Sequence, residues 1–283
     1  MLDKEEYVEQ AYLFRTIGER LPKNMPLQEL MRQAKEELLA TAKLPMAVDF
    51  LRTELEHSGN LWTAMEKLSH YFSPFQTYVV REAENERGQF DLRVAVEVLR
   101  AEAEYRCKEI TKQGLFLFQF ETLCRNRLRY DAGLAAIAAD TTYDAEWRSW
   151  IRHVRHQVGL IDFCDLLYLR SEYYLQRRRQ LLRGEVEPEE PILFGPKEGK
   201  IAFANRGKDP LYLFAALQRH LGYPAVPRPQ PVDRSEALLP LLMRRLERVE
   251  SRLKLLEDEQ HTGIDLREFY GPDAGPPRLP ADS

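Results

Sequence analysis

Glu54 and His57 stand three residues apart as a Glu-x-x-His pair. On one helix face such a pair can offer a carboxylate and an imidazole to a metal. A di-iron bundle needs two such pairs and two further glutamates from facing helices, and the chain has no second Glu-x-x-His. His153 and His156 share the three-residue spacing, but Arg152 and Arg155 beside them oppose a cation. Asp162 and Asp165 form one acidic pair, where helical enzymes that ionise diphosphates through magnesium carry two aspartate-rich clusters. Glu82 and Glu86 fall on one helix face and read as solvated charge. Gly195-Pro-Lys-Glu-Gly199-Lys200 is one residue short of a phosphate loop between its glycines, and Ile201 stands where a magnesium-binding hydroxyl belongs. Asn205-Arg206-Gly207-Lys208, just before a helix start, is a better anion contact but reads first as a polar turn. Arg177, Arg178, Arg179 and Arg183 lack the interleaved aromatics of a nucleic-acid module. No catalytic, cofactor-binding or metal-binding residue is therefore assigned, and no cofactor is expected.

The elements that would position these groups are helices. From about residue 3 to 180, apolar residues recur at spacings of three and four. Helix starts are marked by Asp3, Pro26, Ser73-Pro74 and Asp91. Tyr143, Trp147, Ile151, Val154 and Val158 form one stripe, with Arg148, Arg152 and Arg155 largely off it. Past Glu185 the composition shifts. Ile192–Gly195 and Lys200–Ala204 flank Pro196–Gly199 and predict a small hairpin. Asp209-Pro210 then opens a helix with Leu213, Phe214 and Leu217 that closes at Gly222. Pro224, Pro227, Pro229 and Pro231 predict an extended spacer. Leu239, Leu242, Leu246, Val249, Leu253 and Leu256 alternate spacings of three and four, as the a and d positions of a coiled coil do. With Leu239 at a, Arg245 and Arg252 fall at g and Glu250 and Glu257 at the following e. These six apolar residues are the expected oligomer or partner interface.

The expected fold is thus mainly α: a helical bundle over 1–110, a second helical block over 111–184, a hairpin-helix unit over 185–222, a proline-rich linker over 223–234, a coiled-coil helix over 235–262 and a mostly disordered tail over 263–283. Composition suits it. The 283 residues are 44% hydrophobic and 30% charged, the net charge is −4, and the mean hydropathy is −0.49. Neither nucleic acid nor an anionic membrane is implied. The acidic start Met-Leu-Asp-Lys-Glu-Glu does not read as a secretory leader. Gly114–Phe120 is too short to span a bilayer, which takes about 20 apolar residues. Cys107, Cys124 and Cys164 are odd in number and widely spaced, so a reducing cytoplasm is the expected setting.

A run of motifs adds a family resemblance. Asn24-Met25-Pro26-Leu27-Gln28-Glu29-Leu30 leads to Gly59-Asn60-Leu61-Trp62-Thr63-Ala64-Met65, then Phe72-Ser73-Pro74, then Ala83-Glu84, Gly88 and Phe90-Asp91. In order and spacing, residues 10–106 resemble the cytoplasmic helical domain of the inner-membrane platform proteins of type II secretion and type IV pilus systems. The resemblance implies about six antiparallel helices that dock onto neighbouring machinery, the assembly ATPase included. Platform proteins carry transmembrane helices after this domain, and none is read here. The expected function is a non-enzymatic protein–protein interaction or scaffold protein with a protein partner, a homodimer through the C-terminal helix among the options. An all-helical metal-dependent enzyme is the alternative.

Overall fold

A computed structural model describes residues 2–23, 25–39, 42–85, 90–108, 110–182, 187–229 and 253. Its described elements are helices: α1 Lys4–Arg20, α2 Leu27–Glu37, α3 Leu44–Ser58, α4 Leu61–Lys67, α5 Pro74–Ala83, α6 Leu92–Arg106, α7 Lys112–Arg125, α8 Tyr130–Ala139, α9 Ala145–Gln157, α10 Phe163–Leu169, α11 Glu172–Leu182, α12 Pro196–Ala204 and α13 Pro210–Leu221. Among the described residues, no helix is long and apolar enough to cross a membrane.

Local chemistry sets the helix ends. Ser73 and Gln76 form a reciprocal capping box at α5, with Pro74 in the first turn. Asp91, Thr111, Asp144, Asp162 and Asp209 each accept a hydrogen bond from a first-turn backbone N–H. Asp3 sits at the start of α1 but makes no side-chain cap. Gly59 and Gly222 end α3 and α13 with φ of 72° and 69°, a left-handed geometry that favours glycine.

Helix α1 packs along α6, while α2 lies on α3, α3 on α4, α4 on α5 and α5 on α6. Buried acids on α1 fasten the α2–α3 connection: Glu6 accepts from the Lys43 N–H at 2.8 Å and the Tyr71 hydroxyl at 2.7 Å, and Glu9 accepts from the Leu39 N–H at 3.0 Å. The expected divisions at 110, 184 and 222 all fall inside one compact unit, Met1–Pro229, whose buried core runs from Leu13 to Val226.

Helix α7 is the axis of the second half. Gly114 to Leu123 is buried on every side, which explains an apolar run too short for a membrane. Phe116 and Phe120 meet Trp147, Trp150, Phe163 and Phe214 from α9, α10 and α13.

The expected hairpin over 192–204 does not form, while the helix expected after it does, as α13. Pro196–Ala204 is helix α12, and among the described residues the extended pairing is confined to isolated bridges, Ser171 with Phe194 and Val158 with Ile161. Gly195 is the residue before the helix and Pro196 sits in its first turn, where the missing N–H costs nothing. Gly199 lets α12 lie against α11: a Cβ there would stand 2.1 Å from Ser171 Oγ and 2.5 Å from Ser171 Cβ.

The predicted spacer begins packed rather than free. Tyr223 and Val226 are buried, and the Asn126 side-chain amide donates to the Pro227 carbonyl at 3.1 Å. Of the heptad positions, Leu239, Leu242, Leu246, Val249 and Leu256 lie outside the described residues, as does the tail over 263–283. Leu253 is helical and exposed.

Candidate functional site

Helices α4, α5 and α8 enclose a surface groove of about 330 Å³. Buried Phe72 and Tyr78 form its floor, with Pro74 beside them. Half-buried Ala132 and Ala136, one helical turn apart on α8, make a low wall of small side chains. Trp62 of α4 makes the opposite wall, with the Arg81 guanidinium 4.8 Å from its ring centroid. Glu66 and Ser69 lie on the rim.

Long-range contacts brace this groove. The Glu84 carboxylate accepts from the Leu61 N–H at 2.7 Å and the Trp62 N–H at 2.9 Å, so a residue past the end of α5 caps the start of α4. Asn60, the natural cap position, makes no side-chain bond there. Burial pushes the Glu84 carboxyl above its ordinary value despite those two N–H donors. On the other side, Tyr78 donates its hydroxyl to the Arg129 carbonyl at 2.9 Å. Arg129 also clasps Glu82, with Nε 3.1 and 3.2 Å from the two carboxylate oxygens. Glu82 is thus a buried ion-pair partner joining α5 to the start of α8, and not the solvated charge expected of it. Glu86 lies outside the described residues.

Of the other residues weighed for chemistry, the acidic ones are spent on structure. Glu54 pairs with Lys67, and His57 is exposed. His153 and His156 are both exposed. Asp162 accepts from the Cys164 N–H at 2.9 Å and from the Gly207 N–H at 3.0 Å, while Asp165 binds Arg206 at 2.5 Å. The acidic pair therefore fills the very turn, Asn205 to Lys208, that could have held an anion. Arg206 lies over Tyr168 and Phe203, and Arg177 over Phe203. At the failed phosphate loop, Glu198 turns back so that an oxygen would stand 2.7 Å from a Cβ on Gly195. Among the described residues, no group of three or more His, Cys, Asp or Glu side chains could hold a metal ion.

A second polar cluster carries no sequence signature. Arg106 of α6, with a nearly inaccessible side chain, reaches Glu102 at 2.9 Å, Asp140 at 2.5 Å and Thr142 at 3.1 Å. Gln119 donates to Glu102 at 2.8 Å and accepts from the Tyr143 hydroxyl at 2.8 Å. One cation thus serves two buried carboxyls. Burial pushes Glu102 up by more than Arg106 holds it down. Burial also works against the Asp140 carboxylate, but Arg106 and the Thr142 N–H outweigh it and keep that carboxyl below its usual range. Glu102 Oε2 has no hydrogen-bond partner among the described residues and is the oxygen free to carry a proton. The cluster pins α6, α7 and the α8–α9 turn together. No family model matches the chain, and neither the curated proteins nor the solved structures yield a match.

Proposed function

We propose that the chain is a non-enzymatic interaction protein whose α4–α5–α8 groove receives an amphipathic helix of a protein partner. The observation that carries this reading is the pairing of an apolar floor with an ion-pair-free arginine. Arg81 stacks on Trp62 and makes no ion pair among the described residues, whereas the neighbouring Glu82, Arg129, Asp131 and Arg155 are all paired. A guanidinium held over an indole is pre-organised to take a carboxylate. Ala132 and Ala136 leave room for a helix backbone, and Phe72 and Tyr78 form a seat for one bulky apolar anchor. The partner helix then carries that anchor with an Asp or Glu about one turn away.

The resemblance of residues 10–106 to a secretion and pilus platform domain agrees with a docking role and extends the proposal to an assembly of that type. In the competing metal-enzyme reading, Glu54 would have to exchange its Lys67 partner for the metal. Co-purification from the native host, with the wild-type chain and with Ala136→Arg as baits, tests the proposal. A partner retained by the first and lost by the second is expected. Identical sets of retained proteins overturn the groove as the docking site.

A further inference from the structure

Helix α11 buries only Leu175 along its length. By helical periodicity Tyr174, Leu175, Arg178, Leu181 and Leu182 share one face. The far end of that face is apolar and open: Leu181 is 76% exposed and Leu182 62%. The near end borders a cleft of about 220 Å³, between Tyr174, Leu175 and Arg178 on one wall and Pro188 to Ile192 on the other. Leu169 and Ile192 at its edge are also exposed. One helix therefore carries a protruding apolar knob and, about 10 Å away along its axis, borders a hollow of mixed lining, with Leu169, Leu175 and Ile192 beside Arg178, Glu189 and Glu190.

We propose that a second copy of this chain covers this face, with the two α11 helices antiparallel about a dyad near Arg178. In that register Leu182 of each copy meets Tyr174 of the other, and Leu181 meets Leu175. Each knob enters the other copy's cleft, which is the reciprocity a two-fold interface requires. Charge favours the same arrangement. The cleft wall carries Glu189 and Glu190, and a dyad near Arg178 brings the partner's Arg178 beside them. Arg178 and Arg170 hold Glu189 and Glu190 at 2.9 and 2.8 Å, yet those carboxylates stay 75% and 62% exposed and can receive a second guanidinium. The partner's Arg178, at the dyad, supplies it. A second copy fits better than an unrelated helix, because knob, hollow, dyad arginine and acidic wall all belong to one chain. The contact is distinct from the heptads at Leu239 to Leu256 and from the α4–α5–α8 groove.

Sedimentation equilibrium of the full chain, from about 1 to about 200 µM, tests this. It is run on Leu246→Glu, which disables heptad association, and on the same chain with Leu181→Glu and Leu182→Glu added. Both leucines are exposed, so the added substitutions leave the fold intact, and circular dichroism checks it. The expected result is a dimer of the heptad-disabled chain that weakens by roughly thirtyfold or more when the two leucines are charged. A heptad-disabled chain that is monomeric over the whole range overturns the proposal, as does a dimer that the two charges leave unchanged.

Discussion

Arg106→Met removes the cation from a site that holds two buried carboxyls, and the structure sets the scale of the loss. The guanidinium contacts Glu102 at 2.9 Å, Asp140 at 2.5 Å and Thr142 at 3.1 Å, and lies 5.9 Å from the Tyr7 ring centroid. Methionine replaces most of the side-chain volume, so cavity formation is a minor part of the cost. The main part is electrostatic, because Asp140 is left with the Thr142 N–H and Glu102 with the Gln119 amide. Breaking a buried pair from one side costs about 3–5 kcal/mol, a large share of the roughly 5–15 kcal/mol that holds a typical domain folded. Urea denaturation followed by far-ultraviolet circular dichroism measures it. The loss should shrink as pH falls from ~8 to ~5, because both carboxyls can then take protons. Glu102→Gln in the Arg106→Met background should recover part of the loss, since one of the two stranded charges is gone. A loss under about 1 kcal/mol, or one that is equal at both pH values, would refute the account of this cluster.

Three further outcomes follow from the same geometry. Glu102 has a raised folded-state pKa, so its contribution is fully present below the unfolded value near ~4.3 and is lost as pH rises through the folded value. Glu102→Gln should therefore gain on the wild type as pH rises from ~5 to ~8 in parallel urea titrations, and a constant difference would count against the raised pKa. Gly199→Ala places a methyl group 2.1 Å from Ser171 Oγ and 2.8 Å from Tyr173 Cβ, and should cost about 1–3 kcal/mol by thermal or urea unfolding, with partial recovery from Ser171→Gly. Glu84→Ala strips the start of α4 of its acceptor and should cost about 1–2 kcal/mol while loosening the Trp62 wall, seen as increased quenching of tryptophan emission by iodide.

The helical class was legible because periodicity and caps are local. Asp209-Pro210, Leu213, Phe214, Leu217 and Gly222 specify α13 within twelve helical residues and its flanks, and the structure follows them. The Ser73-Pro74 and Asp91 starts were legible for the same reason. Local signals were ambiguous at Pro196–Ala204, where Gly-Pro-Lys-Glu suits a hairpin turn and a helix start equally. The helix brings Gly199 against Ser171, just before α11, and Tyr173 within it, a contact no local signal announces. The polar cluster was invisible because Glu102, Gln119 and Asp140 come from three separate segments with no shared spacing. Glu82 misread for a like reason, its partner Arg129 lying far along the chain. The groove left a fainter trace. Ala132 and Ala136 at one-turn spacing mark a helix face able to accept a close neighbour, but nothing in the sequence placed Trp62 and Arg81 opposite them.

The central claim is that the α4–α5–α8 groove docks an amphipathic helix through an apolar anchor and a carboxylate at Arg81. Its most direct test is fluorescence anisotropy of a helical peptide, selected from a random displayed library on the full chain, titrated against wild type, Ala136→Arg and Arg81→Glu. The account predicts a selected peptide with a bulky apolar residue one turn from an Asp or Glu, whose binding is abolished by Ala136→Arg and weakened about tenfold or more by Arg81→Glu. A peptide that binds all three chains equally well would contradict it.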